Sequence, residues 1–355
     1  MAFRFSNILL VLTGLLIFVV LLSSCTAEGG DPPTPTAVDA DSTPEVVQSA
    51  ATATIPPTPT SPPRRLTICI AEEPETLFIY GGDSLAQRHV LQAIYDGPLD
   101  RVGYQIQPVI LEKLPNLADG DAVLEPVQVA GGDLIVNSAG QVVRLDLGEH
   151  VLPFGCTNSG CAVPWDGSQL EMPQLSATFT LRPDLKWSNG TSLTAADSVY
   201  SYQLAAQCET DLENCGGLGL SNRNGREMLP RTASYTALDD RNMRWTGIPG
   251  FMDPNYQANF FIPLPEHQLA QYTLQDLFTA PEASRQPLGW GPYALQTWIP
   301  GESITLRPNL NYFGAQENEI QYDELLFRFI GDQPENLNLI PSGTCDIIDQ
   351  TASRT

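Results

Sequence analysis

Hydrophobic and polar positions alternate in a few places along this chain, and those places predict its elements. Leu66, Ile68 and Ile70 alternate with polar residues and stop at Pro74, the pattern of a strand running into a loop. Downstream, Val90, Leu91, Ile94 and Tyr95 fall on one helical face, with Asp83 or Ser84 placed to cap it and "DGP" to end it. Ala177 to Leu181 alternates as a second strand. "PDLKWSNG" then turns, with Trp187 as a packing anchor, and a helix follows on which Ala196, Val199, Tyr200 and Leu204 share a face. Thr194 and Asp197 have the spacing of a capping box at its start. Tyr293 to Trp298 and Ser303 to Arg307, joined through Pro-Gly, read as a hairpin. "YDELLFRFI" reads as another strand, and "IPSGTCDIID" as a turn and a short strand. Between the first helix and the second strand, residues 101–176 are rich in turn sequences and short β runs, which predicts a small strand-dominated region.

The first 25 residues follow a different pattern. Arg4 precedes an almost wholly apolar run from Ile8 to Leu22, then small residues, then Cys25. This is the layout of a secretory signal, and the run is short of the ~20 residues that span a bilayer; a plain N-terminal anchor helix is the alternative. "LSSC" resembles a bacterial lipobox, which makes Cys25 the expected lipidated residue. Residues 26–65 are poor in aromatics and rich in Pro, Thr, Ala and Asp, a composition that cannot offset its own ordering entropy. They read as an extended, disordered spacer.

About 290 residues remain, enough for one large domain or two smaller ones. The 355-residue chain has 41 acidic and 18 basic residues, a formal charge of −23. With no basic cluster beyond Arg64 and Arg65, the composition argues against a nucleic-acid partner. Six cysteines remain after Cys25. On an exported chain they are disulfide candidates, and Cys156–Cys161 and Cys208–Cys215 are close pairs. Zinc is the rival reading, but CxxC is absent and His89, His150 and His267 are scattered. "GGLGLSNRNG" (216–225) fits no phosphate loop and no GxSxG occurs, so neither an enzyme nor a cofactor is expected.

Taken together, "EEPETLFIYGGDSLAQRHVLQAIYDGPL", "ATFTLRPDLKWSNGTSLTAADSVYSYQLA", "LPEHQL", "GWGPYALQTWIPGESITLRPNLNYFG" and "YDELLFRFI" followed by "SGTCDIID" resemble, in order and spacing, the extracellular solute-binding proteins of family 5, the oligopeptide, dipeptide and nickel receptors of ABC importers. "AADSV" departs mildly from the family's usual "AADVV". The resemblance implies a mixed α/β, periplasmic-binding-protein-like lobe. Its mixed sheet is flanked by helices and formed by 66–100 and 177–350, with 101–176 as an inserted β-rich subdomain. It implies a lipid-anchored, extracytoplasmic receptor that delivers a peptide-like solute to permease subunits. Nickel, haem, glutathione and oligosaccharides are other solutes of the family. A surface binding or sensory module without transport, and a secreted hydrolase, are the competing functions. At the cleft the resemblance places Tyr80, Gly81, Gly82, Asp83, Trp290 and Tyr293, although the glycines and Asp83 can equally shape and cap the helix, and the two aromatics can equally be core. It puts the strands of Cys69 and Cys345 in one sheet, which pairs those cysteines. Family members usually continue well past Thr355, so the expectation is a first lobe without its second, with an exposed apolar face and no tight solute binding of its own.

Overall fold

The computed structural model describes residues 63–210, 228–315, 320–350 and 352. The signal sequence with Cys25, nearly all of the spacer, the Gly-rich stretch 216–225 and Cys215 lie outside the described residues. All described residues belong to one compact unit.

Two sheets organise it. The first, five-stranded, has the order β12-β13-β14-β1-β15, where β1 is Arg65–Ile70, β12 Tyr293–Ile299, β13 Ser303–Pro308, β14 Glu324–Phe329 and β15 Ile347–Ile348. β1 runs parallel to both neighbours, whereas the β12–β13–β14 meander is antiparallel. Parallel neighbours need long crossovers, and here nearly the whole chain lies between β1 and β14. β1 starts at Arg65, and Arg64 N–H already donates to Asp323 Oδ2 at 2.8 Å, so the folded body begins just inside the expected spacer. Glu324, nearly buried, pairs with Arg65 and Arg307; a buried carboxylate is held by such partners.

The second sheet, ordered β10-β11-β9-β4, is antiparallel throughout. β4 is Ala122–Val129, β9 Leu170–Thr180, β10 Thr232–Ala237 and β11 Asn242–Gly247. β9 begins seven residues before the strand expected from Ala177, because Pro173 and Leu175 continue the inward face of Ala177 and Phe179 while Met172 turns to the other face and the small core, and a proline reads in sequence as the end of a strand. The expected boundary at 176/177 therefore falls inside β9. β4, from the loop-rich stretch, pairs with β9 from Ala122↔Ala177 to Val129↔Leu170. That stretch also carries the small pairs β2 (Leu99–Val102) with β3 (Gln105–Pro108), β5 (Leu134–Val136) with β6 (Val142–Arg144), and β7 (His150–Val151) with β8 (Val163–Pro164). Val129, Ile135, Leu145, Val151 and Met172 form its own small core, and Cys156 and Cys161 close a short disulfide loop beside it.

One large core joins both sheets. It includes Ile70, Ile94, Phe179, Trp187, Trp245, Trp290 and Phe327. Helix α1 (Leu85–Ile94) packs on it through Val90, Leu91 and Ile94, with Tyr95 just beyond, as its periodicity predicts; the cap is Ser84, whose Oγ accepts the Gln87 N–H at 3.1 Å. Gly289 and Gly291 let the start of the hairpin abut the end of this helix. A Cβ on Gly291 would stand 2.6 Å from the Ile94 carbonyl oxygen, which instead accepts the Gly291 N–H at 2.7 Å.

Helix α2 (Ala195–Thr210) differs from its pattern by one residue: Ala196 is exposed and Ala195 buried. The buried face also holds Ser198 and Ser201, which an apolar count passes over. The Ser198 hydroxyl bonds the Phe261 carbonyl and the Tyr235 hydroxyl. The back half of the capping box is present, with Asp197 Oδ2 accepting the Thr194 N–H at 2.8 Å. The same carboxylate accepts Trp187 Nε1–H at 3.3 Å and the N–H of Glu266, which opens the short helix α3 (Glu266–Leu269), at 3.1 Å. The "KWSNG" turn is held in turn by Ser188 N–H to the Gly289 carbonyl and by Asn311 Nδ2 to the Ser188 carbonyl. Asp197 is thus the junction of strand, turn, helix and the distant α3 segment.

Cys69 and Cys345 are joined by a disulfide, with Cα atoms 5.9 Å apart and a sequence separation of 276. β15 extends the link, pairing Ile68 with Ile347 and Cys69 with Ile348. Cys208 is buried on α2, and its expected partner lies outside the described residues. No helix among the described residues is long and apolar enough to cross a membrane.

Candidate solute-binding site

The loop from β1 to α1 is a ridge between two cavities. On one side, a cavity of about 420 Å³ is lined by Tyr80, Gly82, Asp83, Gln87, Arg88, Leu91, Gln92, Tyr95 and Ile262, among others. On the other, about 280 Å³ is lined by Glu72, Glu73, Glu75, Thr76 and again Gly82, Asp83 and Gln87. Gln87 holds the ridge. It is 2 % exposed, and its Nε2 donates to the Phe78 carbonyl at 2.8 Å. A Cβ on Gly82 would stand 2.8 Å from Gln87 Oε1, and one on Gly81 would press on Thr76 and Phe78. Both glycines therefore have a local packing reason, and neither takes a positive φ.

Of the residues that the sequence points to, Tyr80, Gly82 and Asp83 reach the first cavity. Asp83 is exposed and borders both, with the cap left to Ser84. Gly81 borders the acidic one. The two aromatics need correction. Trp290 is 1 % exposed, donates Nε1–H to the Asp96 carbonyl at 2.8 Å and lies between Trp187 and Tyr95. Tyr293 is buried with its hydroxyl donating to the Tyr322 carbonyl at 3.1 Å. Both belong to the core, where an indole and a phenol are stable because each finds a carbonyl partner.

Tyr95 takes the aromatic place at the cavity. Its helical period marks it as core, and it is core on one side, since its ring meets Trp290 edge-on. Arg88 and Gln92 were also missed. They sit four residues apart on α1, outside its apolar face, and that spacing was the available signal. Ile262 carried none, because it arrives from 182 residues beyond Tyr80, whose hydroxyl donates to its carbonyl at 3.0 Å. Burial pushes the hydroxyls of Tyr80 and Tyr95 above the ordinary phenol range. They are neutral at physiological pH.

A cavity walled by neutral phenols and amides, one acid and one guanidinium offers shape, hydrogen bonds and both signs of charge. Set beside the end of β1 in a mixed sheet, it is a candidate solute site. The chain belongs to the bacterial extracellular solute-binding proteins of family 5, whose middle region matches residues 168–354, more than half of the 355. It is similar to the oligopeptide-binding protein OppA of Lactococcus lactis, 29% identical over 163 residues covering 42% of this chain and 27% of that one. It is also similar to the periplasmic murein peptide-binding protein MppA of Escherichia coli, 27% identical over 223 residues covering 59% and 38%. The fold matches the oligopeptide-binding protein AppA from Bacillus subtilis in complex with a nonapeptide, with TM-score 0.52 at 16% identity, covering 80% of this chain and 44% of that one. These matches span between about a quarter and just under half of the relatives' lengths.

Proposed function

We propose that this protein is a lipid-anchored receptor that captures a peptide-like solute against the α1 cavity and presents it to the permease subunits of an ABC importer. The observation that carries this reading is the pairing of Asp83 and Arg88 in one cavity with Tyr80, Tyr95 and two glutamines. An ammonium group suits Asp83, a carboxylate suits the Arg88 fork, and amide side chains suit peptide groups. Gly81 and Gly82 act by leaving room for the ridge, and Trp290 and Tyr293 act by supporting Tyr95 and the hairpin behind it. The names of the relatives, oligopeptide-binding and murein peptide-binding, favour peptide among solutes. Capture makes and breaks no bond; it shifts an equilibrium between conformations.

Cys25 carries the anchor, the stretch from 26 to just before Arg64 is the spacer, and the lobe runs from Arg64 through β1 and α1 and again from β9 onward, with β4 of the β-rich stretch joined to it. The protein works outside the cytoplasmic membrane. Native mass spectrometry of the natural gene product, purified without denaturation, tests the solute: a co-purified peptide that is lost in Asp83→Asn and Arg88→Gln supports the reading, and a non-peptide solute or unchanged loading in both variants rejects it. Cys25→Ala should move the protein out of the membrane fraction; retention as firm as the parent's makes the apolar run a true anchor.

A further inference from the structure

The acidic cavity lies across the ridge from the α1 cavity. Its volume is about 280 Å³, below the roughly 300–1,000 Å³ of a pocket that takes a whole ligand. It therefore fits one side chain of a larger solute. The two cavities share Gly82, Asp83 and Gln87, so one solute can lie across the ridge and reach both.

The polar groups of the acidic wall divide into those already engaged and those left over. Glu73 is engaged. Its Oε1 accepts Trp298 Nε1–H at 2.7 Å and its Oε2 accepts the Gly301 N–H at 2.7 Å, which ties the ridge to the turn between β12 and β13. Arg285 is engaged with it: Nη1 lies 3.3 Å from Glu73 Oε1, and the guanidinium stands 4.0 Å from the Trp298 ring centroid. The Thr76 hydroxyl accepts the Phe78 N–H at 3.0 Å. Glu72 and Glu75 are exposed, line the cavity and bond nothing among the described residues.

A buried group in the wall points to what these carboxylates meet. Gln87 is 2 % exposed, and the Phe78 carbonyl orients its amide by accepting Nε2–H. Its Oε1 is thereby turned toward Gly82, where the two cavities meet, and no donor among the described residues bonds it. An acceptor oxygen beside two carboxylates suits a donor that is also a cation. Among the described residues no three acidic, histidine or cysteine side chains could hold a metal ion. The spacing suits an ammonium or a guanidinium instead, whose several N–H groups reach separate acceptors. We infer that this cavity is a cation subsite that takes the lysine or arginine side chain of a basic peptide, with Gln87 Oε1 accepting one N–H and Glu72 and Glu75 supplying the charge. The identity of the solute rests on the peptide reading of the α1 cavity; the preference for a cation rests on the acidic cavity alone.

The test uses two sets of probes on the purified full-length protein. Nα-acetyl-lysine methylamide and its norleucine counterpart carry neither peptide terminus, and ligand-observed NMR with them reads the acidic cavity alone. The tripeptides Lys-Ala-Ala, Ala-Lys-Ala and Ala-Ala-Lys, each against its norleucine counterpart, read both cavities together by calorimetry. Expected are saturable binding of acetyl-lysine methylamide and a preference of about fivefold or more for lysine over norleucine in at least one tripeptide. The preference should vanish in the double variant Glu72→Gln, Glu75→Gln and shrink in about 1 M salt. Both residues are exposed and unbonded, so the variant should unfold like the parent. The inference is overturned by lysine probes that bind no better than norleucine, by a preference that survives the double variant, or by no saturable binding of acetyl-lysine methylamide into the millimolar range. Failure of the transport reading looks different: acetyl-lysine methylamide binds with its preference intact while no tripeptide binds, which supports the cation subsite and rejects a peptide as the solute.

Discussion

The ring of Tyr95 meets that of Trp290 edge-on, with centroids 4.8 Å apart, and Trp290 meets Trp187 in the same manner at 5.4 Å. The wall of the α1 cavity is thus continuous with the centre of the core. Replacing Trp290 by Ala should cost about 3–5 kcal/mol of stability, read by denaturant unfolding. Trp290→Phe should fold and lower solute affinity only through the loosened Tyr95. A variant with parental stability but abolished binding would return Trp290 to the cavity as a contact residue.

Asp197 is buried, and burial pushes its carboxyl above the ordinary carboxylate range although three N–H donors pull it down. A folded state that holds the proton more tightly than the unfolded chain is favoured by protonation. The Asp197 contribution should therefore be greatest at acid pH and fall as pH rises through its raised pKa. Asp197→Asn, with an amide nitrogen facing an N–H donor, should cost about 1–3 kcal/mol. The stability difference between parent and variant, measured by urea unfolding across pH, should shrink from acid to neutral; a difference that grows would contradict the assignment.

Ser198 satisfies both the Phe261 carbonyl and the Tyr235 hydroxyl inside the core. Ser198→Val adds apolar bulk, yet it should destabilise by about 1–3 kcal/mol because two buried polar groups lose a partner. A more stable variant would show that those groups pair elsewhere.

The disulfide between Cys69 and Cys345 closes a 276-residue separation. In the chain-entropy account a loop of that length contributes roughly 5 kcal/mol. The double variant Cys69→Ser, Cys345→Ser should unfold at clearly lower denaturant than the parent under non-reducing conditions. Cys156→Ser, Cys161→Ser, which opens a five-residue separation, should lose much less.

Gly291→Ala should be costly for its size. The added carbon would sit 2.6 Å from Ile94 O and 2.9 Å from Tyr95 N, both backbone atoms that cannot swing aside. Expected is a loss of about 1–3 kcal/mol, with solute affinity falling because Tyr95 moves with its backbone. Unchanged unfolding and binding would mean that the hairpin yields freely.

Local chemistry determined much of this protein from sequence alone. Periods of two and 3.6 marked β1, α1, the hairpin and the inward face of Val90, Leu91 and Ile94, because burial on one side writes an alternation into neighbouring residues. Serine, glycine and proline marked the turns, since their backbone preferences are intrinsic. Other features had no local origin. Pro173 hid the first half of β9 from the pattern reading, and that half is held as strand by its pairing with β4. Ser198 looks like a surface residue until the Phe261 carbonyl, 63 residues on, arrives to accept its proton. Trp290 and Tyr293 are aromatics near a cavity in sequence order, and only their carbonyl partners from Asp96 and Tyr322 place them inside the core. Arg88 joins Asp83 in a cavity because only five residues separate them around the start of α1, whereas Ile262 joins by folding across most of the lobe. Sequence records what each residue prefers, and the tertiary structure decides which distant partner satisfies it.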